Sequence, residues 1–133
     1  MLGEQVGHEK GKVTMRKVLD AGDDVAVEIA FEAMGKLLGV EMQNMGTYAS
    51  KMRADGTVYG TGQGVLMSKT GEMGTWKGQG VGRMTDTGGM SFRGAIYIYS
   101  QTATWKKLNG SAVVYEHEVD AQGNVEDKLW EWR

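Results

Sequence analysis

Between Gly60 and Gly94 the chain sets glycine at every second position in several runs. They read Gly60-Thr61-Gly62-Gln63-Gly64, Gly78-Gln79-Gly80-Val81-Gly82 and Phe92-Arg93-Gly94. A period of two belongs to β-strands, whose alternate residues point to one side, so these glycines share a face of neighbouring strands. A nucleotide-binding fingerprint would need Gly-x-Gly-x-x-Gly at a strand-to-helix turn. Here the glycines alternate inside strands, which excludes it. Glycine accounts for 21 of the 133 residues and there is no proline, against a usual glycine share of about 7%. Without a collagen period, that surplus belongs to a folded β architecture.

Short loops ending in glycine recur along the chain. They are Asp20-Ala21-Gly22, Ala54-Asp55-Gly56, Lys69-Thr70-Gly71, Asp86-Thr87-Gly88, Leu108-Asn109-Gly110 and Ala121-Gln122-Gly123. A three-residue hairpin loop wants its last residue in the left-handed region, which glycine reaches without strain. The spacing predicts an antiparallel meander of eight strands, over 12–19, 25–34, 40–53, 57–68, 72–85, 89–100, 111–120 and 124–133. Good helix formers over 26–38 offer a rival helix. Alternation of Val25, Val27, Ile29 and Phe31 with Glu28 and Glu32 favours the strand.

The loops also fix a register. A loop at 69–71 sets Gly64 opposite Trp76, Gly62 opposite Gly78 and Gly60 opposite Gly80. A loop at 86–88 sets Gly82 opposite Phe92 and Trp76 opposite Ile98, and a loop at 54–56 sets Tyr48 opposite Gly62. A loop at 121–123 adds Val114 opposite Trp130 and Glu116 opposite Lys128. One face then collects the glycines with Trp76, Phe92, Ile96 and Ile98, while Thr61, Gln63, Lys77, Gln79, Arg83 and Arg93 lie on the other. The first face is the expected interior. Glycine lets strands coil sharply and leaves room for a bulky neighbour. Eight strands with one apolar face and no covering helix are expected to close on themselves, removing exposed edges. The fold class that follows is all-β: a closed, eight-stranded, antiparallel up-and-down barrel.

From Gly60 onward the chain resembles an uncharacterised bacterial family with the allene-oxide-cyclase-like barrel. The matching residues include Gly60-Thr61-Gly62-Gln63-Gly64, Gly71-Glu72, Thr75-Trp76-Lys77-Gly78-Gln79-Gly80-Val81-Gly82-Arg83, Arg93-Gly94-Ala95-Ile96, Leu108-Asn109-Gly110, Glu116, Gly123-Asn124 and Leu129-Trp130-Glu131-Trp132. They span a little over half of the chain. The resemblance implies the same closed meander. It implies no activity, because the family has none assigned and shared fold alone does not carry one.

Length and charge bound the rest. The 133 residues are one domain, with residues 1–10 expected to be a less ordered leading segment. There is no cysteine and there are only two histidines, so no thiolate or His-rich metal site is expected, and no cofactor. A net charge of −2 with both signs scattered argues against nucleic acid as a partner. No apolar run approaches a membrane span, and the start lacks the basic and apolar regions of a signal peptide. A cytoplasmic protein without a membrane partner is the resulting expectation.

The expected interior contains few polar groups: Asn44, Tyr48, Ser50, Glu116 and Lys128. Glu116 among indole and aliphatic groups is the candidate catalytic acid or base, since burial disfavours its charged form. A half-solvated Glu116–Lys128 cross-strand pair at the rim is the plainer alternative. Asn44 and Tyr48 are candidates to orient the polar end of a ligand, with Trp76, Phe92 and Trp130 as its aromatic wall. Such aromatics also fill a barrel of this size with no ligand at all. His117 is expected on the outward face opposite Asp127, a solvated surface pair. Outward Ala95, Tyr97, Tyr99, Val113 and Tyr115 make an aromatic stripe suited to a homo-oligomer of two or three copies, unless the segment 103–108 packs over it. The expected function is binding of a small, mainly apolar molecule in the barrel or at its mouth. Alternatives are a cyclase or isomerase using Glu116, and a filled barrel serving as an interaction module.

Overall fold

The computed structural model describes residues 1–133. Eight strands follow one another: β1 (Leu2–Asp20), β2 (Ala26–Leu37), β3 (Val40–Met52), β4 (Val58–Met67), β5 (Met73–Met84), β6 (Met90–Ser100), β7 (Ala112–Val119) and β8 (Asn124–Trp132). Each pairs antiparallel with the next, and β8 returns to β1, so the sheet closes into a barrel in chain order. The only other element is a short 3-10 helix, Trp105–Leu108, between β6 and β7. No helix is long and apolar enough to cross a membrane.

The expected hairpin registers are all present. Gly64 faces Trp76, Gly82 faces Phe92, Tyr48 faces Gly62 and Glu116 faces Lys128. Five of the six loop glycines have positive φ: Gly56, Gly71, Gly88, Gly110 and Gly123. The rival helix over 26–38 is strand β2, which runs on to Leu37. It turns through Leu38 (φ 49) and Gly39 (φ 78), a two-residue turn with both central residues left-handed. A leucine in that position gives no turn signal to a reader of sequence. At the start, β1 begins at Leu2 and reaches its partners through register shifts after Gln5 and Val13. Residues 2–10 of the leading segment expected to be less ordered therefore lie in strand β1.

Glycines make the room for the core. A Cβ on Gly64 would lie 2.2 Å from the indole nitrogen of Trp76, and one on Gly46 would lie 2.7 Å from both Phe31 and Trp76. An interior glycine costs a strand about 0.5–1 kcal/mol relative to alanine. Burying an indole of roughly 200 Å² returns about 5 kcal/mol at 25 cal/mol per Å², so the exchange favours the glycines. Trp76, Phe31, Leu66 and Ile98 form one buried cluster with Leu37, Met42 and Leu129.

One end of the barrel is plugged by the 3-10 helix. Trp105 and Leu108 are fully buried, and the Trp105 indole N–H donates to the Leu37 carbonyl at 3.0 Å. The Glu72 carboxylate holds the helix start, accepting the N–H groups of Thr104 and Trp105 at 3.0 and 2.9 Å. The segment 103–108 therefore seals the barrel end and leaves Tyr97 and Tyr99 more than half exposed.

That irregular connection also changes which residues of the last two strands face inward. Phe92 of β6 pairs with His117 of β7, so even positions before the connection share a face with odd positions after it. Val113, Tyr115, His117 and Val119 of β7 point inward with Val125, Asp127 and Leu129 of β8. Val113 and Tyr115 are thus inside, against expectation, and Glu116 and Trp130 are outside. No hairpin loop spans residues 101–111, so nothing local sets the parity. The even face does contain a tell: Glu116, Glu118, Glu126 and Lys128 are four charges that an interior would not accept unpaired.

Gly64→Ala is expected to lower stability by roughly 1–3 kcal/mol through overpacking against Trp76, read by chemical denaturation. The outward neighbour Thr61→Ala should change it by about 0.5 kcal/mol at most.

Candidate functional site

Inside the barrel a run of hydrogen bonds links side chains from five strands. The Tyr48 hydroxyl (β3) meets His117 Nε2 (β7) at 3.0 Å. His117 Nδ1 meets Asp127 (β8), which stands directly across the β1–β8 ladder from Glu9 (β1). Asn44 Nδ2 (β3) donates to both Glu9 oxygens, at 2.9 and 3.2 Å. Trp76 Nε1 (β5) donates to Asn44 Oδ1 at 2.9 Å. Strand pairing explains the meeting: Glu9 faces Asp127 across β1–β8, and His117 faces Asp127 across β7–β8. Glu9, Asn44, His117 and Asp127 are all buried, and no buried side-chain polar atom lacks a partner.

Aromatic rings pack around the imidazole. Tyr48, Phe31 and Phe92 lie with ring centres 5.2, 5.3 and 6.0 Å from that of His117. Water is thereby kept from the imidazole, and the protonation states follow. Burial, with Asp127 beside it, pushes the Glu9 carboxyl well above the usual carboxylate range. Burial raises Asp127 to about 6, while the hydrogen bond from Glu9 acts the other way. Two adjacent carboxyls cannot both ionise cheaply, so burial and their proximity hold a proton on the Glu9–Asp127 pair above the usual carboxylate range. Burial pushes His117 down to about 4, so the ring is neutral near pH 7. A neutral imidazole has one N–H. With Asp127 accepting at Nδ1, Nε2 is the acceptor and the Tyr48 hydroxyl the donor, a tautomer assigned from the hydrogen-bond network. Tyr48 holds its proton firmly, since burial raises its ionisation far above the ordinary tyrosine value.

Beside this chain lies a cavity that leaves about 60 Å³ open to the centre of a water molecule. At 10–15 Å³ for each, that is room for roughly four to six waters or a small organic molecule. Its wall is mainly apolar, including Phe31, Leu66, Trp76, Phe92 and Ile98. Tyr115 also lines it, with its hydroxyl where a Cβ on Gly80 would lie 2.2 Å away. Unlike Tyr48, which bonds His117, Tyr115 makes no side-chain hydrogen bond within the protein, and its hydroxyl is not fully buried. Burial raises it to about 12, so it is a donor at every ordinary pH. No group of three His, Cys, Asp or Glu side chains is placed to hold a metal ion.

Of the residues expected from sequence, Asn44, Tyr48, Trp76 and Phe92 line this cavity together. Glu116 and Trp130 do not. The Glu116 carboxylate lies outside, half exposed and 3.9 Å from Arg93 rather than beside a ligand. His117 and Asp127, expected as a solvated surface pair, are the buried centre of the site. Glu9 and Tyr115 were also missed. The correct His117–Asp127 pairing was readable from the last hairpin; only its face was inverted.

No protein-family model matches the chain, and no curated protein sequence matches it. Solved structures do. A conserved protein of unknown function from Rhodopseudomonas palustris superposes with a TM-score of 0.82 at 13% identity, over 98% of this chain and 97% of that one. A protein with unknown function from Clostridium acetobutylicum gives 0.83 at 13% identity, over 98% of each chain. A beta-barrel like protein from Acinetobacter baumannii gives 0.82 at 10% identity, over 100% of this chain and 96% of that one. At such identities the likeness shows the barrel fold alone.

The carboxyl pair predicts how stability responds to pH. Folded Glu9 retains a proton that the unfolded chain releases above pH 4.5. Its contribution is complete below that pH and is lost as pH rises toward the raised folded value. Asp127 acts with the same sign between 3.8 and about 6, and His117 with the opposite sign between about 4 and 6.5. Those two largely offset, leaving Glu9 to set the trend at higher pH. Above about pH 6.5, where Asp127 and His117 have finished titrating, thermal midpoints should therefore fall as pH rises. In Glu9→Gln, whose amide can donate to Asp127 permanently, the fall should flatten. A wild-type midpoint that rises over that range would show Glu9 ionised in the fold.

Proposed function

We propose that the barrel binds a small, mainly apolar molecule with one oxygen acceptor. The observation that supports this most directly is the apolar cavity with the unpartnered Tyr115 hydroxyl at its wall. Pockets for small molecules combine apolar walls with a few placed polar groups, and this wall has that composition. Phe31, Trp76, Phe92 and Ile98 supply the apolar contact, and Tyr115 donates to the ligand oxygen. The Asp127 carboxylate disfavours an anionic ligand, so a neutral one fits best.

The wider reading is an allene-oxide-cyclase-like barrel in the cytoplasm, acting without a cofactor and associating in two or three copies. Support for the barrel type comes from the shared motif residues and the closed meander. Support for association comes from the outward stripe, where Tyr97 and Tyr99 are 56% and 57% exposed. A net charge of −2 with both signs scattered along the chain supports a partner that is neither nucleic acid nor an anionic membrane surface.

Pentan-2-one, butanone and cyclohexanone are suitable neutral probes in saturation-transfer NMR with the whole chain. Transfer from the protein to at least one is expected, and Tyr115→Phe should weaken binding by about 2- to 10-fold, the worth of one hydrogen bond. Absence of transfer from all three at millimolar concentration would overturn the reading.

A further inference from the structure

We propose that Tyr48, His117 and Asp127 form a proton-transfer site that enolises a small neutral ketone or aldehyde in the cavity, so that the barrel catalyses 1,3-proton shifts. This rests on the binding reading above and adds chemistry to it. The carrying observation is geometric. A hydroxyl on the cavity wall is hydrogen-bonded at 3.0 Å to an imidazole whose other nitrogen is held by a carboxylate. That is the order of groups by which a weak hydroxyl becomes able to give up its proton as it takes another.

The packing also weighs against a purely structural role. Two carboxyls and an imidazole buried together cost stability that apolar side chains of similar volume would not. A neutral amide pair would tie the same strands together without the cost. Their presence beside a cavity fits a site whose chemistry needs ionisable groups.

The proton inventory closes without any co-reactant. The α C–H bond of the bound ketone breaks and its proton bonds to the Tyr48 oxygen. The Tyr48 proton passes to His117 Nε2, and the imidazolium so formed is stabilised by the Asp127 carboxylate. The C–H electron pair becomes the C=C bond of the enolate, while the carbonyl π pair moves to the oxygen, which accepts a hydrogen bond from Tyr115. In a β,γ-unsaturated ketone the proton then returns from Nε2 through Tyr48 to the γ-carbon. The enolate electrons shift to leave the conjugated isomer, and every group regains its starting state. A base of low basicity suffices when the enolate oxygen is hydrogen-bonded in a site shielded from water. Tyr48 and His117 are the catalytic residues. Asp127 acts through His117 and is a positioning residue, as is Glu9, which Asn44 holds against it.

The test uses the whole chain with two probes. Conversion of pent-4-en-2-one to its conjugated isomer is followed by ultraviolet absorbance, and α-hydrogen exchange of pentan-2-one in D2O by proton NMR. The wild type should accelerate both. Tyr48→Phe should lose about 100-fold or more of each rate while still showing saturation transfer from pentan-2-one. His117→Gln should do the same, and serves if Tyr48→Phe does not fold, folding being checked by circular dichroism. Asp127→Asn should lower kcat with KM nearly unchanged, after kcat is corrected for the folded fraction measured by circular dichroism. Binding of pentan-2-one with neither exchange nor isomerisation above the rate without protein overturns the proposal and leaves the binding reading standing. Equal rates in wild type, Tyr48→Phe and His117→Gln also overturn it. Absence of binding removes both.

Discussion

The indole of Trp76 ties packing to chemistry in this barrel. Its ring lies where side chains on Gly46 and Gly64 would be, so the two glycines and the tryptophan require each other. Its N–H ends on Asn44, which in turn fixes the Glu9 carboxyl. A smaller residue at position 76 would leave a void and an amide acceptor without its donor. Either loss alone costs on the order of 1–3 kcal/mol or more, so position, packing and polarity are set together.

A second dependence runs around the ring of strands. Glu9 and Asp127 meet only because β1 pairs with β8, which is the contact that closes the sheet. The polar chain therefore exists only in the closed barrel, and an open sheet would expose its carboxyls to water. Closure in turn relies on β1 shifting register after Gln5 and Val13. Such irregularities bend a strand and increase its twist, which a barrel wall needs. At the sealed end, Glu72 gathers the backbone of the 3-10 helix and lets Trp105 plug the opening. That plug closes one end of the barrel, and packed rings around His117 keep the polar chain itself dry beside the cavity. Dryness is what moves the Glu9, Asp127 and His117 proton affinities away from their ordinary values.

Much of this was readable from residues taken in order. Hairpin loops ending in glycine gave the pairings of Gly64 with Trp76, Tyr48 with Gly62 and His117 with Asp127. Glycine alternation gave the inward face of β4 through β6 with Trp76 and Phe92, and the loop at 54–56 extended it to Asn44 and Tyr48 of β3. Two features escaped for identifiable reasons. The turn at Leu38–Gly39 uses a leucine with φ of 49°, a conformation its side chain rarely adopts, and no composition rule flags it. The faces of β7 and β8 were inverted because both sides of those strands carry apolar groups: Val113, Tyr115 and Leu129 on one, Val114, Trp130 and Trp132 on the other. Large indoles suggested an interior position, but the buried indoles are those of Trp76 and Trp105.

Local chemistry thus dictated the strands, most of their turns and the pairing across each tight hairpin, because a short loop leaves its flanking residues little choice of partner. The orientation of the final hairpin and the identity of the buried acid–base groups came from closure. An irregular connection such as residues 101–111 transmits no parity. Only the demand that the last strand pair with the first, with charges such as Glu116 and Lys128 left in water, selects which side turns inward. A sequence read hairpin by hairpin lacks that constraint, since it arises between the two ends of the chain.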